Sequence, residues 1–171
     1  MQNHFDLFHL PARFALDMGA LDAAYRDVQG QVHPDRFVGA TDAEKRVAMQ
    51  WSTRANEAYQ TLRNPQKRAR YLCEQNGVDL QTESNTAMPM DFLMQQMEWR
   101  EGLGEARAEK NLDALESLDG QVKEERAARL VLVGLLLDGG DFAAAAQGVR
   151  ALMFLDKFGE EVHRAFEAIE N

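Results

Sequence analysis

The sequence predicts an all-α protein: an antiparallel helical hairpin with short flanking helices, followed by a bundle of three helices. Three observations carry this expectation. Apolar residues recur at spacings of three and four along much of the 171-residue chain, the period of a helix with one buried face. Helix-starting and helix-stopping residues fall where those stripes begin and end. The charge also changes character midway: residues 1–76 hold ten Lys and Arg against nine Asp and Glu, whereas residues 77–171 hold nine against nineteen. That break, at a polar stretch marked by glycine and proline, divides the chain into a first domain over 1–76, a linker over 77–89 and a second domain over 90–171.

In the first domain, Phe5, Leu7, Phe8 and Leu10 make a short apolar cluster that stops at Pro11, one or two helical turns at most. Asp17 is placed to cap the next helix, on which Leu21, Ala24, Tyr25, Val28 and Val32 share a face. The residue before a proline is pushed out of the helical region, so this helix ends next to His33. Thr41 with Glu44 forms a capping box for a longer helix carrying Val47, Ala48, Trp51, Ala55, Ala58, Tyr59 and Leu62 on one side. The two stripes face each other across an antiparallel hairpin. Asn64 and Pro65 open a further short helix, closed at Gly77, whose Lys67, Arg68 and Arg70 read as a solvated face.

The second domain begins with a helix from Met90 to about Asn111. Phe92, Trp99, Leu103 and Ala106 lie on one side of it, while Leu93, Met94 and Met97 lie on the other beside Glu98, Glu101 and Glu105. One core needs only the first set. The second set either faces another helix of the bundle or forms a binding patch, and its methionines and rimming glutamates fit the patch. A second helix spans about 112–138, with Leu112, Leu115, Leu118, Val122, Leu130, Val133 and Leu137 near a 3.5-residue period, and stops at Gly139-Gly140. Asp141 caps the last helix, whose Leu152, Leu155, Val162, Phe166 and Ile169 share a face from which Phe154 projects away. Short turns between three helices imply an antiparallel bundle.

Composition narrows the function. A net charge of −9 argues against a nucleic-acid partner. No apolar run approaches the roughly 18 residues of a membrane span, and Met1 to Asp6 lacks the basic start of a secretion signal, so we expect a cytoplasmic protein with no membrane partner. One cysteine, Cys73, excludes an internal disulfide, and without a CxxC pair or a His cluster no metal or other cofactor is expected; Cys73 reads as a small core residue.

The loop Val32-His33-Pro34-Asp35-Arg36-Phe37 holds an imidazole and a carboxylate on either side of a locked proline. Used as base and orienter they would need a nucleophile, and no Ser or Cys is placed for it, so the chain is expected not to be an enzyme. The tripeptide, with the order of helices around it, resembles a J-domain over residues 4–76, and Asn56-Glu57-Ala58-Tyr59 fits the same pattern. Leu62-Arg63-Asn64-Pro65 with Arg68-Ala69 and Tyr71-Leu72 is similar to the J-domain of the HscB family, co-chaperones of iron–sulfur cluster assembly. Asp91-Phe92-Leu93-Met94-Gln95-Gln96-Met97-Glu98, Val149-Arg150 and Phe154-Leu155-Asp156-Lys157 resemble its C-terminal domain.

That resemblance implies that His33, Pro34 and Asp35 engage an HscA-like ATPase chaperone of the DnaK family, with Arg26 and Arg36 as supplementary charge. J-domains usually carry several basic residues on the second helix, and here Arg26 stands alone, with Gln29, Gly30 and Gln31 nearby. The resemblance also implies that Leu93, Met94, Met97, Glu98, Glu101, Glu105 and Phe154 bind the iron–sulfur scaffold IscU. The alternative is a J-protein serving a general DnaK chaperone and its misfolded clients.

Overall fold

The computed structural model describes residues 2–80 and 88–171; residues 81–87 of the expected linker lie outside the described residues. Two compact units emerge, Met1–Leu72 and Cys73–Asn171. All regular elements among the described residues are helical: α1 (His4–Leu7), α2 (Met18–Val32), a 3₁₀ turn (Pro34–Phe37), α3 (Asp42–Arg63), α4 (Pro65–Gln75), α5 (Met90–Glu109), α6 (Leu112–Asp138) and α7 (Phe142–Glu170).

Capping chemistry sets most of the helix starts. The side chains of Asp17, Thr41, Asn111 and Asp141 accept from the backbone N–H three residues on, and Asn64 does the same for Lys67 at 3.1 Å, each satisfying a donor the helix leaves unpaired. The helix ends follow a second rule. Gly77, at φ +83°, lets Val78 N–H reach Cys73 C=O and Gly77 N–H reach Glu74 C=O, the double closure of a left-handed C-terminal cap. The end of α5 uses the same pair of bonds with Lys110 at φ +51°, a conformation that favours glycine.

In the first unit α2 and α3 run antiparallel. Tyr59 OH donates to Asp22 at 2.7 Å, Tyr25 OH to Asn56 at 3.2 Å and Ser52 OH to Gln29 at 3.4 Å, so rising numbers on one helix meet falling numbers on the other. Buried Ala48, Ala55 and Ala58 let the backbones approach, and the Tyr25 and Tyr59 rings stack at 4.0 Å between centroids. Val47 and Trp51, expected on the buried stripe, are instead exposed. Arg68 corrects another expectation: it is buried rather than solvated. Its guanidinium donates to the Leu62 carbonyl in the last turn of α3 at 2.6 Å and lies over the Phe14 ring at 4.6 Å, so it closes the end of α3 instead of presenting charge.

The N-terminus is clasped to α4. His4 N–H donates to Tyr71 OH at 2.9 Å and the two rings stack at 4.4 Å. Burial pushes the His4 pKa below its ordinary 6.5, opposed by Glu57 and reinforced by Arg54. The unfolded chain therefore binds the proton more readily. His4 contributes its full stability above about pH 6.5, and that contribution is lost as pH falls from there through the lower folded value. Urea midpoints of the full chain should fall on acidification, and His4→Phe, which keeps a ring on Tyr71, should show a smaller fall. Equal falls would discard this role.

In the second unit Gly148 faces Val133, Gly159 faces Val122, and Arg126 pairs with Asp156, a constant antiparallel register between α6 and α7. Trp99 Nε1–H donates to Gln121 at 3.1 Å and the Arg129 guanidinium lies over Phe92 at 4.7 Å, which sets α5 antiparallel to α6. Phe92 against Phe154 and Trp99 against Phe158 set α5 parallel to α7. The bundle is up-down-up around Leu115, Val133, Val149, Leu152, Leu155, Phe158 and Val162, all fully buried. Leu112 lies outside it, 40% exposed. Cys73 is buried with its thiol 3.9 Å from Phe142 C=O. Burial, with Glu74 adding and Arg150 opposing, pushes that thiol up to about 11.

Candidate functional site

Two exposed surfaces stand out, one in each unit. The first is the turn after α2. His33 leaves the helix with extended backbone, φ −60° and ψ 137°, and Pro34 to Phe37 follow as a 3₁₀ turn closed by Arg36 N–H on His33 C=O at 2.9 Å. Asp35 N–H donates to His33 Nδ1 at 3.2 Å. The Asp35 carboxylate lies 3.5 Å from the same ring, and the two side chains are 58% and 90% exposed. The turn therefore holds an imidazole and a carboxylate side by side, both open to a partner. Arg36 is exposed in the same turn; Arg26, also exposed, sits about two helical turns back on α2.

Sequence patterning missed the surface beside this turn. Val32, Pro34, Phe37, Val38, Lys45, Ala48, Met49 and Ser52 line a groove of about 560 Å³. Its apolar walls include the exposed Val38 and Met49, and Lys45 supplies a cation from α3 where α2 offers only Arg26. Its only trace in the sequence is Met49, one step off the buried face.

The second surface is the outer side of α5. Phe92, Trp99, Leu103 and Ala106 are buried as expected, while Met94 and Met97 are exposed, and so is Met90, which pattern reading had not placed in the patch. Glu98, Glu101 and Glu105 are exposed in the same line. The face is apolar over its first two turns and acidic over the next two, roughly 22 Å from Met90 to Glu105. Leu93 and Phe154 are half buried, packed on the cluster of Met88, Phe92 and Ala151. They floor the patch rather than project from it. The nearby cation Arg100 is engaged, over the Phe154 ring at 5.4 Å and 3.5 Å from Glu161.

Among the described residues no group of three His, Cys, Asp or Glu is placed to hold a metal ion, and no helix is long and apolar enough to cross a membrane.

A helical hairpin that displays His-Pro-Asp on its connecting turn, continued in one chain by a helical bundle, defines a J-domain co-chaperone. The pattern of the family described as "HSCB C-terminal oligomerisation domain" matches residues 88–163. The co-chaperone protein HscB homolog of Burkholderia mallei is 59% identical over 169 residues, 99% of this chain and 97% of the relative. Chaperone HscB from Vibrio cholerae superposes with a TM-score of 0.83 at 35% identity, over 98% of this chain and 99% of that one. Human co-chaperone HscB superposes with a TM-score of 0.89 at 26% identity, over 95% and 81%. The chain belongs to the HscB family, co-chaperones of iron–sulfur cluster assembly.

Proposed function

We propose that this chain stimulates ATP hydrolysis by an HscA-like chaperone of the DnaK family and delivers the scaffold IscU to it. His33, Pro34 and Asp35 dock the chaperone, assisted by Arg26 and Arg36 and by the apolar groove with Lys45. Met94, Met97, Glu98, Glu101 and Glu105, floored by Leu93 and Phe154, dock the scaffold. Residues 1–76 act as the chaperone-engaging domain, 77–89 as a linker and 90–171 as the scaffold-binding domain. The observation that carries this reading is the α5 face. Exposed methionines adapt to a partner's surface, while the row of carboxylates beyond them selects a basic one. The chain does no chemistry of its own, and its lone, unbridged cysteine fits the reducing cytoplasm. Holding trigger and cargo on one polypeptide raises the effective concentration of each for the other.

Titrating IscU into the full chain tests the proposal. Met94→Ala with Met97→Ala should weaken binding by roughly 10- to 100-fold, the range of interface hot spots, without changing the melting curve, because both side chains are exposed. Absence of IscU binding at micromolar concentration would instead favour a general DnaK J-protein with misfolded clients.

A further inference from the structure

The methionines divide by exposure, and the division follows the two docking surfaces. Seven of them lie among the described residues. Met49, Met90, Met94 and Met97 are between 56% and 71% exposed. Met88 is buried, Met153 is half buried, and Met18 turns its sulfur to the Arg68 guanidinium at 3.7 Å. Met90, Met94 and Met97 follow one another at spacings of four and three, which keeps them within one narrow arc of α5, in line with the glutamates of the second surface. Met49 stands on the wall of the groove beside the His33 turn. Every strongly exposed thioether among the described residues therefore belongs to one docking surface or the other.

We propose that these four methionines are oxidation sites through which hydrogen peroxide releases both partners. The proposal rests on the docking roles given above to the two surfaces. The thioether sulfur attacks one peroxide oxygen with its lone pair: an S–O bond forms, the O–O bond breaks, the sulfur is oxidised by two electrons and the peroxide is reduced to water. No proton has to leave the side chain first, and the row Glu98, Glu101 and Glu105 does not repel an uncharged oxidant. The chain's one thiol, Cys73, is buried and does not compete. The product is a polar, chiral sulfoxide in place of a flexible apolar side chain, so the adaptable apolar contact that methionine offers a partner is lost. In the free chain water solvates the new oxygen and the fold is unaffected. A docking partner would have to strip that water, and burying an unpaired polar group is costly.

Treating the full chain with hydrogen peroxide, removing the excess with catalase and mapping the oxidised peptides tests this. Met49, Met90, Met94 and Met97 should gain oxygen before Met18, Met88 and Met153, with the melting curve unchanged. IscU affinity should then fall by roughly 10-fold or more, the scale of losing interface anchors, and stimulated ATP hydrolysis should fall with it. Both should return after treatment with methionine sulfoxide reductases for the two sulfoxide epimers. Met90→Leu with Met94→Leu and Met97→Leu leaves nothing on α5 to oxidise, so whatever IscU affinity that variant starts from, peroxide should no longer change it. Oxidation that reaches Met88 as fast as Met94 overturns the proposal, as does IscU binding that survives oxidation of the three α5 methionines. So does a loss that the reductases fail to reverse or that persists in the leucine variant. A chain that binds no IscU before any peroxide is added fails earlier, at the docking role of α5, and the proposal falls with it.

Discussion

Asp35→Asn and His33→Gln are each expected to cut stimulated ATP hydrolysis by roughly 10- to 100-fold while leaving the fold and IscU binding intact. Asparagine keeps the shape of Asp35 and removes its charge. A hydrogen bond to a charged group contributes about 1.5–3 kcal/mol, and each 1.36 kcal/mol is a factor of ten. Glutamine at position 33 lacks the rigid ring that accepts from Asp35 N–H, so the carboxylate loses its fixed position. Neither change touches the core, because both side chains are more than half exposed. Single-turnover hydrolysis by the HscA-like chaperone, with and without each variant, reads the effect. Wild-type stimulation by either one would remove the trigger from this turn.

The second large effect is expected at Gly148, where α7 crosses α6. A methyl added there would overlap the Val133 side chain, which is fully buried and β-branched and so has little freedom to turn away. Alanine gains about 1 kcal/mol of helix propensity over glycine, but overpacking a core costs typically 1–3 kcal/mol. The second term wins. Gly148→Ala should lower the urea midpoint, Gly148→Val should lower it further, and Val133→Ala combined with Gly148→Ala should be less destabilised than the two single changes added together. A more stable Gly148→Ala protein would mean that the helices do not approach this closely.

The helices were readable because their local signals agree with their packing. Asp17, Thr41 and Asp141 each precede an apolar stripe and each caps a helix, and Asn64 caps the helix that Pro65 opens. The His33 turn was readable because Pro34 dictates it. Other features depend on what arrives from elsewhere in the chain. The burial of Arg68 requires Phe14 and the end of α3, which no spacing announces. Lys110 closes α5 in a conformation its residue type disfavours, and nothing in the local pattern announces it. Leu93 and Phe154 sit half buried because Met88 and Ala151 bring a small cluster beneath them, and a helical wheel drawn on one helix cannot show a neighbour. The groove beside Pro34 needs both α2 and α3, so neither stripe alone reveals it.

The state of Cys73 bears on how such a chain can handle metal-bearing cargo. Burial pushes its thiol up to about 11, so at neutral pH it is held as the uncharged thiol, and the sulfur is shut away from solvent. A soft anionic ligand is what iron would otherwise find attractive. Under the proposed role, a docked cluster carrier would meet no competing thiolate from Cys73, and electrophilic labels should leave the folded chain unmodified until it opens.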